Sequence, residues 1–415
     1  MFRRNWNCAT LYSRLVNSSS SSSSSSLHNF THLRPSFSFS SSSSPNLHLA
    51  PSVAASKSSD LLSVVRHYGN CYSELSKARL SLLVVATSGT GFVLGSGGAV
   101  DLSALSYTCL GTMMVAASAS TLNQVFEVRN DGIMKRTSQR PLPSGRITIP
   151  HAVGWASSVG LAGTALLATQ TNMLAAGLAA SNLILYSFVY TPLKQIHPVN
   201  TWVGAVVGAI PPLLGWAAAS GDISLNSLIL PAALYFWQIP HFMALAYMCR
   251  DDYAAGGFKM YSLADTSGRK TAVVALRNSI YLIPLGFLAY DWGVTSGWFC
   301  LESTALTLAI SAAAFSFYRD RTKERARRMF HASLLYLPIF MAGLLVHRRT
   351  DNQQFLEVNA EGLVKSSSSV ESSDIDDKNG DQKIKGRQRN RARPPVAYAS
   401  YAPFPFLPVP SYDIV

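Results

Sequence analysis

Nine apolar runs, each long enough to cross a bilayer as a helix, dominate the middle of this chain. They occupy residues 80–100, 105–126, 151–168, 173–190, 201–219, 225–248, 273–290, 297–318 and 330–346. A spanning helix needs about 20 apolar residues, and the hydrocarbon core holds no water to satisfy unpaired backbone groups. The runs therefore predict an all-α polytopic membrane protein of about nine transmembrane helices, with frequent Gly and Ala allowing close helix packing. Composition agrees: 48% of the residues are hydrophobic and 14% charged, where a soluble domain carries about 25% charged residues. The net charge of +13 does not point to nucleic acid, because Lys and Arg are scattered between apolar stretches and form no basic domain. The partner that this pattern calls for is the lipid bilayer.

The flanks differ from the centre. Residues 1–60 carry Arg3, Arg4, Arg14 and Arg34 among serine runs at 18–26 and 40–44, with no acid before Asp60. That is the composition of an organelle transit segment, mitochondrial or plastid, and it is expected to be disordered. Residues 350–415 turn polar, then basic over 383–393, then rich in Pro and Tyr, and are expected to form a disordered tail. The membrane domain is expected over 77–347. The five cysteines lack C-x-x-C spacing, so neither a zinc site nor a disulfide is expected.

Loop charges orient the spans, since Lys and Arg favour one side of a membrane. The second connection holds Arg129, Lys135, Arg136, Arg140 and Arg146, the fourth Lys194, and the sixth Arg250, Lys259, Arg269 and Lys270. The eighth holds Arg319, Arg321, Lys323, Arg325, Arg327 and Arg328; the four odd connections hold no Lys or Arg. The even loops should share one face, toward the matrix of a mitochondrion or the stroma of a plastid. Arg348 and Arg349 run against the bias.

Topology does not explain the acids. Asn123, Glu127 and Asp131 stand four residues apart, a step that drifts about 40° around a helix and climbs roughly 6 Å, so all three share a face. Two carboxylates on adjacent turns at a membrane boundary suit Mg²⁺, which usually takes one or two carboxylates plus substrate phosphates. The alternative is a frayed helix end with solvated acids. Lys135, Arg136 and Arg140 follow directly and suit a diphosphate beside the metal. A second acidic loop, Arg250-Asp251-Asp252-Tyr253, should lie on the same face, implying two metals or one shared cluster. Asp265 and Lys259 read as solvated loop residues. In Tyr190-Thr-Pro-Leu-Lys194, Pro192 should end the fourth helix, and Lys194 adds a cation that topology alone would also supply.

The string Asn123-Gln-Val-Phe-Glu127-Val-Arg-Asn-Asp131-Gly-Ile-Met-Lys-Arg-Thr-Ser-Gln-Arg140-Pro-Leu-Pro resembles the first aspartate-rich motif of the UbiA-type intramembrane prenyltransferases. Tyr190 to Lys194, Asn200 to Pro212, Trp237 to Ala246, and Arg250 to Tyr253 with Gly256 or Gly257 and Met260, match the haem-farnesylating branch in order. The resemblance implies a helical fold around a central prenyl diphosphate cavity, with Asn123, Glu127, Asp131 and Asp252 as catalytic magnesium ligands. Lys135, Arg136, Arg140, Tyr190, Lys194, Arg250 and Tyr253 would bind the diphosphate or face the prenyl cation, as would Phe126. Three positions depart from the wider superfamily: Glu127 replaces aspartate, Gly256 replaces the second aspartate of the second motif, and Gln195 replaces a basic residue.

The implied reaction ionises farnesyl diphosphate and joins the farnesyl group to a vinyl group of protohaem. Water addition then gives haem O, which haem A synthase would use in building cytochrome c oxidase. His241 is the residue suited to haem, either as an axial ligand or bonded to a carbonyl freed by Pro240. The mitochondrial inner membrane is the expected site. A plastid leader would instead fit a quinone-precursor or chlorophyll-type acceptor, and a membrane transporter or oxidase assembly factor is the non-enzymatic alternative.

Overall fold

The computed structural model describes residues 53–350. Most of the expected leader and the tail from residue 351 lie outside the described residues. The chain enters through helix α1, Val53–Leu75, whose backbone is helical over 53–60, where disorder was expected; Ala54 and Ala55 favour helix. Then come α2, Ala78–Gly95, and α3, Leu102–Phe126, which passes into the short α4, Val128–Ile133. Helix α5 is Ile149–Gln170 and α6 is Met173–Ile184, which continues through a π-helical turn, Leu185–Tyr190, into α7, Thr191–Ile196. Helix α8 is Asn200–Ser220, α9 Ile229–Met248, and α10 Arg250–Ala255. Finally come α11, Arg269–Ile280, α12, Ile283–Asp291, α13, Trp298–Arg319, and α14, Lys323–Val346.

Among the described residues nine segments are long and apolar enough to cross a membrane. They fall where the apolar runs predicted, and the all-α reading holds: the described residues contain no strand, only an isolated bridge between Thr295 and Arg348. Two boundaries move for stereochemical reasons. The seventh span is two helices, because Pro284 offers no N–H to the carbonyl of Ile280. The fourth does not end before Pro192 but runs to Ile196, because the π turn shifts the hydrogen-bond register ahead of the proline.

Glycine sets the tightest helix contact. A Cβ at Gly91 of α2 would lie 2.0 Å from the Pro212 carbonyl oxygen, and one at Gly215 of α8 would lie 1.8 Å from that of Ser88. Neither helix can carry a side chain there, so their backbones touch.

The loops segregate to two ends as the charges predicted. At one end Asn130 Nδ2 donates to the Gly256 carbonyl at 2.7 Å, Lys259 N to the Lys194 carbonyl at 2.8 Å, and the Tyr247 hydroxyl to the Arg321 carbonyl at 2.5 Å. These contacts join the second, fourth, sixth and eighth connections. At the other end Arg348 donates to the carbonyls of Ser96 and Gly98, and Arg349 N to that of Val294. The Arg348 charge that ran against the bias is thus held by backbone carbonyls of a bare loop. Cys71, Cys109 and Cys300 are free, but Cys249 is disulfide-bonded, against expectation. The expectation rested on C-x-x-C spacing, which tests only some cysteine pairings.

Candidate active site

The end of α3 delivers the first acidic motif as the four-residue spacing predicted. Asn123, Glu127 and Asp131 are all buried, at 1%, 4% and 1% exposure, which removes the frayed, solvated alternative. Carboxylates at that depth require partners. Each group has a cation: Lys77 Nζ donates to Asn123 Oδ1 at 2.6 Å, Lys194 Nζ lies 2.5 Å from Glu127 Oε1, and Arg140 Nη1 donates to Asp131 Oδ2 at 2.6 Å. The Lys194 contact is one of charge, since Glu127 Oε1 lacks an aligned donor, and Asp131 Oδ1 is buried with no hydrogen-bond partner.

The π turn brings the fourth connection into this cluster. Thr191 donates both its backbone N–H and its hydroxyl, the latter at 2.8 Å, to the Tyr186 carbonyl, and its hydroxyl oxygen accepts from Asn123 Nδ2 at 3.2 Å. One turn on, Lys194 Nζ sits 4.8 Å from the centre of the Tyr190 ring, a cation–π distance. Tyr190 packs flat against the backbone of α8: a Cβ at Gly204 would meet its Cε2 at 2.7 Å.

Lys77, absent from the sequence reading, completes the group. It precedes α2 with φ at +44°, the left-handed region, and is the one non-glycine residue with positive φ among the described residues. Such a conformation is costly for a lysine and marks a backbone held by its surroundings. Its side chain is half-buried as a whole. Burial of the amine, then the charges of Arg140 and Lys194, push its pKa down to about 7 against the pull of Glu127 and Asp131. The only sequence signal was a basic residue directly before the first span, which topology also explains.

The second acidic loop is arranged differently from expectation. Among the described residues no three His, Cys, Asp or Glu side chains converge on one point, so a shared carboxylate cluster is not formed. The loops dock through backbone and glycine: Asn130 holds the Gly256 carbonyl, and a Cβ at Gly256 would meet the Met134 side chain at 2.8 Å. A side chain at 256 would have to displace the buried Met134 side chain. Asp251 faces outward to Lys323 at 3.2 Å, with both side chains exposed, and Asp252 is half-buried. Tyr253 lies 5.7 Å below the Arg136 guanidinium, while Lys135 is exposed.

Four residues are placed differently from expectation. Arg250, expected at the substrate, gives its guanidinium to the carbonyls of Ser262, Asp265 and Thr266 and fastens the loop. Asp265, expected to be solvated, is buried and accepts from Thr271 N at 2.8 Å, Thr271 Oγ1 at 3.0 Å and Ser267 Oγ at 2.9 Å. Burial raises its pKa, but those bonds and Arg250 outweigh it and hold the carboxyl below its usual range. Phe126 is exposed and pairs edge-on with Phe188. His241, deeper in α9, bonds neither of the carbonyls near Pro240: its Nδ1 lies 2.9 Å from the Ser333 hydroxyl of α14.

Among the described residues, nine spans carrying a buried cluster of acids and cations at one end define an intramembrane transferase fold of the UbiA type. A solved structure of digeranylgeranylglyceryl phosphate synthase has this fold with a TM-score of 0.59 at 17% identity, covering 67% of this chain and 97% of that one. The chain belongs to the UbiA prenyltransferase family, whose family model matches residues 82–341, and within it to the protohaem IX farnesyltransferases. It is 66% identical to the mitochondrial protohaem IX farnesyltransferase of Arabidopsis thaliana over 86% of this chain and 81% of that one. It is 34% identical to the protohaem IX farnesyltransferase of Cytophaga hutchinsonii over 67% of this chain and 97% of that one. The resemblance found in the motifs is therefore borne out.

Proposed function

We propose that the protein transfers the farnesyl group of farnesyl diphosphate to a vinyl group of protohaem in the mitochondrial inner membrane, giving haem O, with the even loops facing the matrix. The observation that carries this reading is the pairing of Asn123, Glu127 and Asp131 with Lys77, Lys194 and Arg140 inside one buried cluster. Such a cluster holds its cations beside carboxylate oxygens that still lack donors, Asp131 Oδ1 above all. That is the donor set a hard cation requires, and few carboxylates suit Mg²⁺ that is also bound by phosphate. Glu127 and Asp131, with Asn123, would hold one Mg²⁺, and Asp252 would supply the one carboxylate of a second. When bound, Mg²⁺ neutralises charge on the departing diphosphate.

The chain's own groups do the rest. Lys194, Arg140 and Lys77 exchange their carboxylate and amide partners for diphosphate oxygens and stabilise charge as the allylic C–O bond ionises. Arg136 and Lys135 line the approach. The Tyr190 ring, beside Lys194, and Tyr253, beside Arg136, offer π faces toward the allylic cation. The vinyl carbon attacks that cation, water adds to the cation left on the haem side chain, and a proton departs. His241 ligates the haem iron and so orients the vinyl group.

The test is chromatography of haems from cells that lack their own haem O synthase and express this chain. Haem O should appear. Its absence with protein correctly inserted, while another acceptor is prenylated in vitro, would refute the assignment.

A further inference from the structure

His241 is built into a cluster that its neighbours in sequence do not explain. Trp237, one turn earlier on α9, stacks on the imidazole with ring centres 5.2 Å apart and planes at 23°. Phe330 of α14 stacks at 4.6 Å and 26°. Trp237 Nε1 donates to the Ser333 carbonyl at 2.6 Å, which ties the cluster across the two helices. The fully buried Ser333 hydroxyl lies 2.9 Å from His241 Nδ1 and 2.7 Å from the Phe330 carbonyl.

One proton decides the chemistry. A carbonyl oxygen only accepts, so the 2.7 Å contact places the serine proton on the Phe330 carbonyl. The serine oxygen then faces Nδ1 with a lone pair, and Nδ1 must carry the ring proton. This assigns the Nδ1–H tautomer, with a lone pair on Nε2, which has no hydrogen bond among the described residues. Two stacked rings hold the imidazole plane, while a metal approaches a histidine in that plane along the lone pair.

We propose that Ser333 is a positioning residue: it fixes the tautomer and ring orientation in which His241 Nε2 is ready to ligate haem iron. The proposal rests on the haem reading above. Ligating histidines usually donate their other N–H to a fixed acceptor, and losing that acceptor typically costs about 10–100-fold in metal affinity or activity.

The test uses full-length protein in detergent, titrated with ferric and ferrous haem b and read by absorbance and resonance Raman. Wild type should show an axial-histidine spectrum that His241→Ala loses. Ser333→Ala should weaken haem roughly tenfold and lower the iron–histidine stretching frequency, because Nδ1–H loses its acceptor. Ser333→Thr, which keeps the hydroxyl and its bond to the preceding turn, should restore both, and all variants should bind farnesyl diphosphate normally. Unchanged affinity and stretching frequency in Ser333→Ala would overturn the role of Ser333 while leaving the haem reading intact. An axial-histidine spectrum that survives in His241→Ala would overturn the proposal, and failure of the wild type to bind haem would overturn the haem reading with it.

Discussion

Replacing Gly204 with Ala tests whether Tyr190 must lie where it does. The added Cβ would stand 2.7 Å from Tyr190 Cε2, 3.2 Å from Cζ and 3.4 Å from Cδ2. Carbon atoms rest at about 3.5–4.0 Å, so the ring or α8 has to yield by roughly 1 Å. The Tyr186 ring packs against that of Tyr190 with centres 5.4 Å apart, and Lys194 sits at 4.8 Å, so the displacement passes to the lysine that meets Glu127. Overpacking of this kind costs about 1–3 kcal/mol, and a misplacement near 1 Å in a reacting constellation costs up to about 100-fold in rate. The assays are thermal unfolding of the detergent-purified variant and kcat/KM for farnesyl diphosphate. The double variant Gly204→Ala with Tyr190→Leu should unfold at a temperature closer to Tyr190→Leu alone than additivity predicts, because the clash is gone. Wild-type kcat/KM and Tm in Gly204→Ala, or strict additivity in the pair, would refute the reasoning.

Glu127→Gln and Asp131→Asn should each abolish turnover while the protein still inserts, since each removes a charged metal ligand and keeps side-chain size; normal turnover in both would remove the metal assignment. Mg²⁺ chelation should stop the reaction, and Lys194→Ala should raise the apparent Kd for farnesyl diphosphate roughly tenfold or more, a charged hydrogen bond contributing about 1.5–3 kcal/mol, with haem binding little changed. Equal weakening of both substrates would count against it. Asp265→Asn should destabilise the protein by about 1 kcal/mol near neutral pH, because the amide keeps one acceptor oxygen but loses the second acceptor and the charge that faces Arg250. A carboxyl whose folded pKa is depressed stabilises above its unfolded pKa and loses that contribution as pH falls through the folded value. The gap between wild type and Asp265→Asn should therefore shrink below about pH 4, and a gap constant with pH would contradict it. Truncation after Arg349 should leave activity within about twofold, because the sequence beyond it carries no apolar run of spanning length and no motif; loss of activity in a stably inserted truncation would overturn this.

The spans and the sharing of one end by the charged loops were legible in the sequence, because both follow from rules that act locally. Backbone groups in hydrocarbon must bond within their own helix, and a twenty-residue apolar run announces that by length alone. The face shared by Asn123, Glu127 and Asp131 follows from helix geometry in the same way. Partnership was not legible. That Lys77 reaches Asn123 depends on where helix ends meet across a long separation in the chain, while Arg250 closing its own loop and Asp265 bonding the first turn of α11 depend on how that loop folds back on itself. No spacing rule encodes those meetings. The glycine at 256 looked like a defect in a metal motif and proves to be a fitted contact with Met134. His241 was visible as a polar residue in an apolar span, but its tautomer rests on a serine 92 residues away. Hydrogen bonds and ion pairs reach only a few ångströms, so the sequence determines which chemical groups are present, and helix packing alone determines which of them touch.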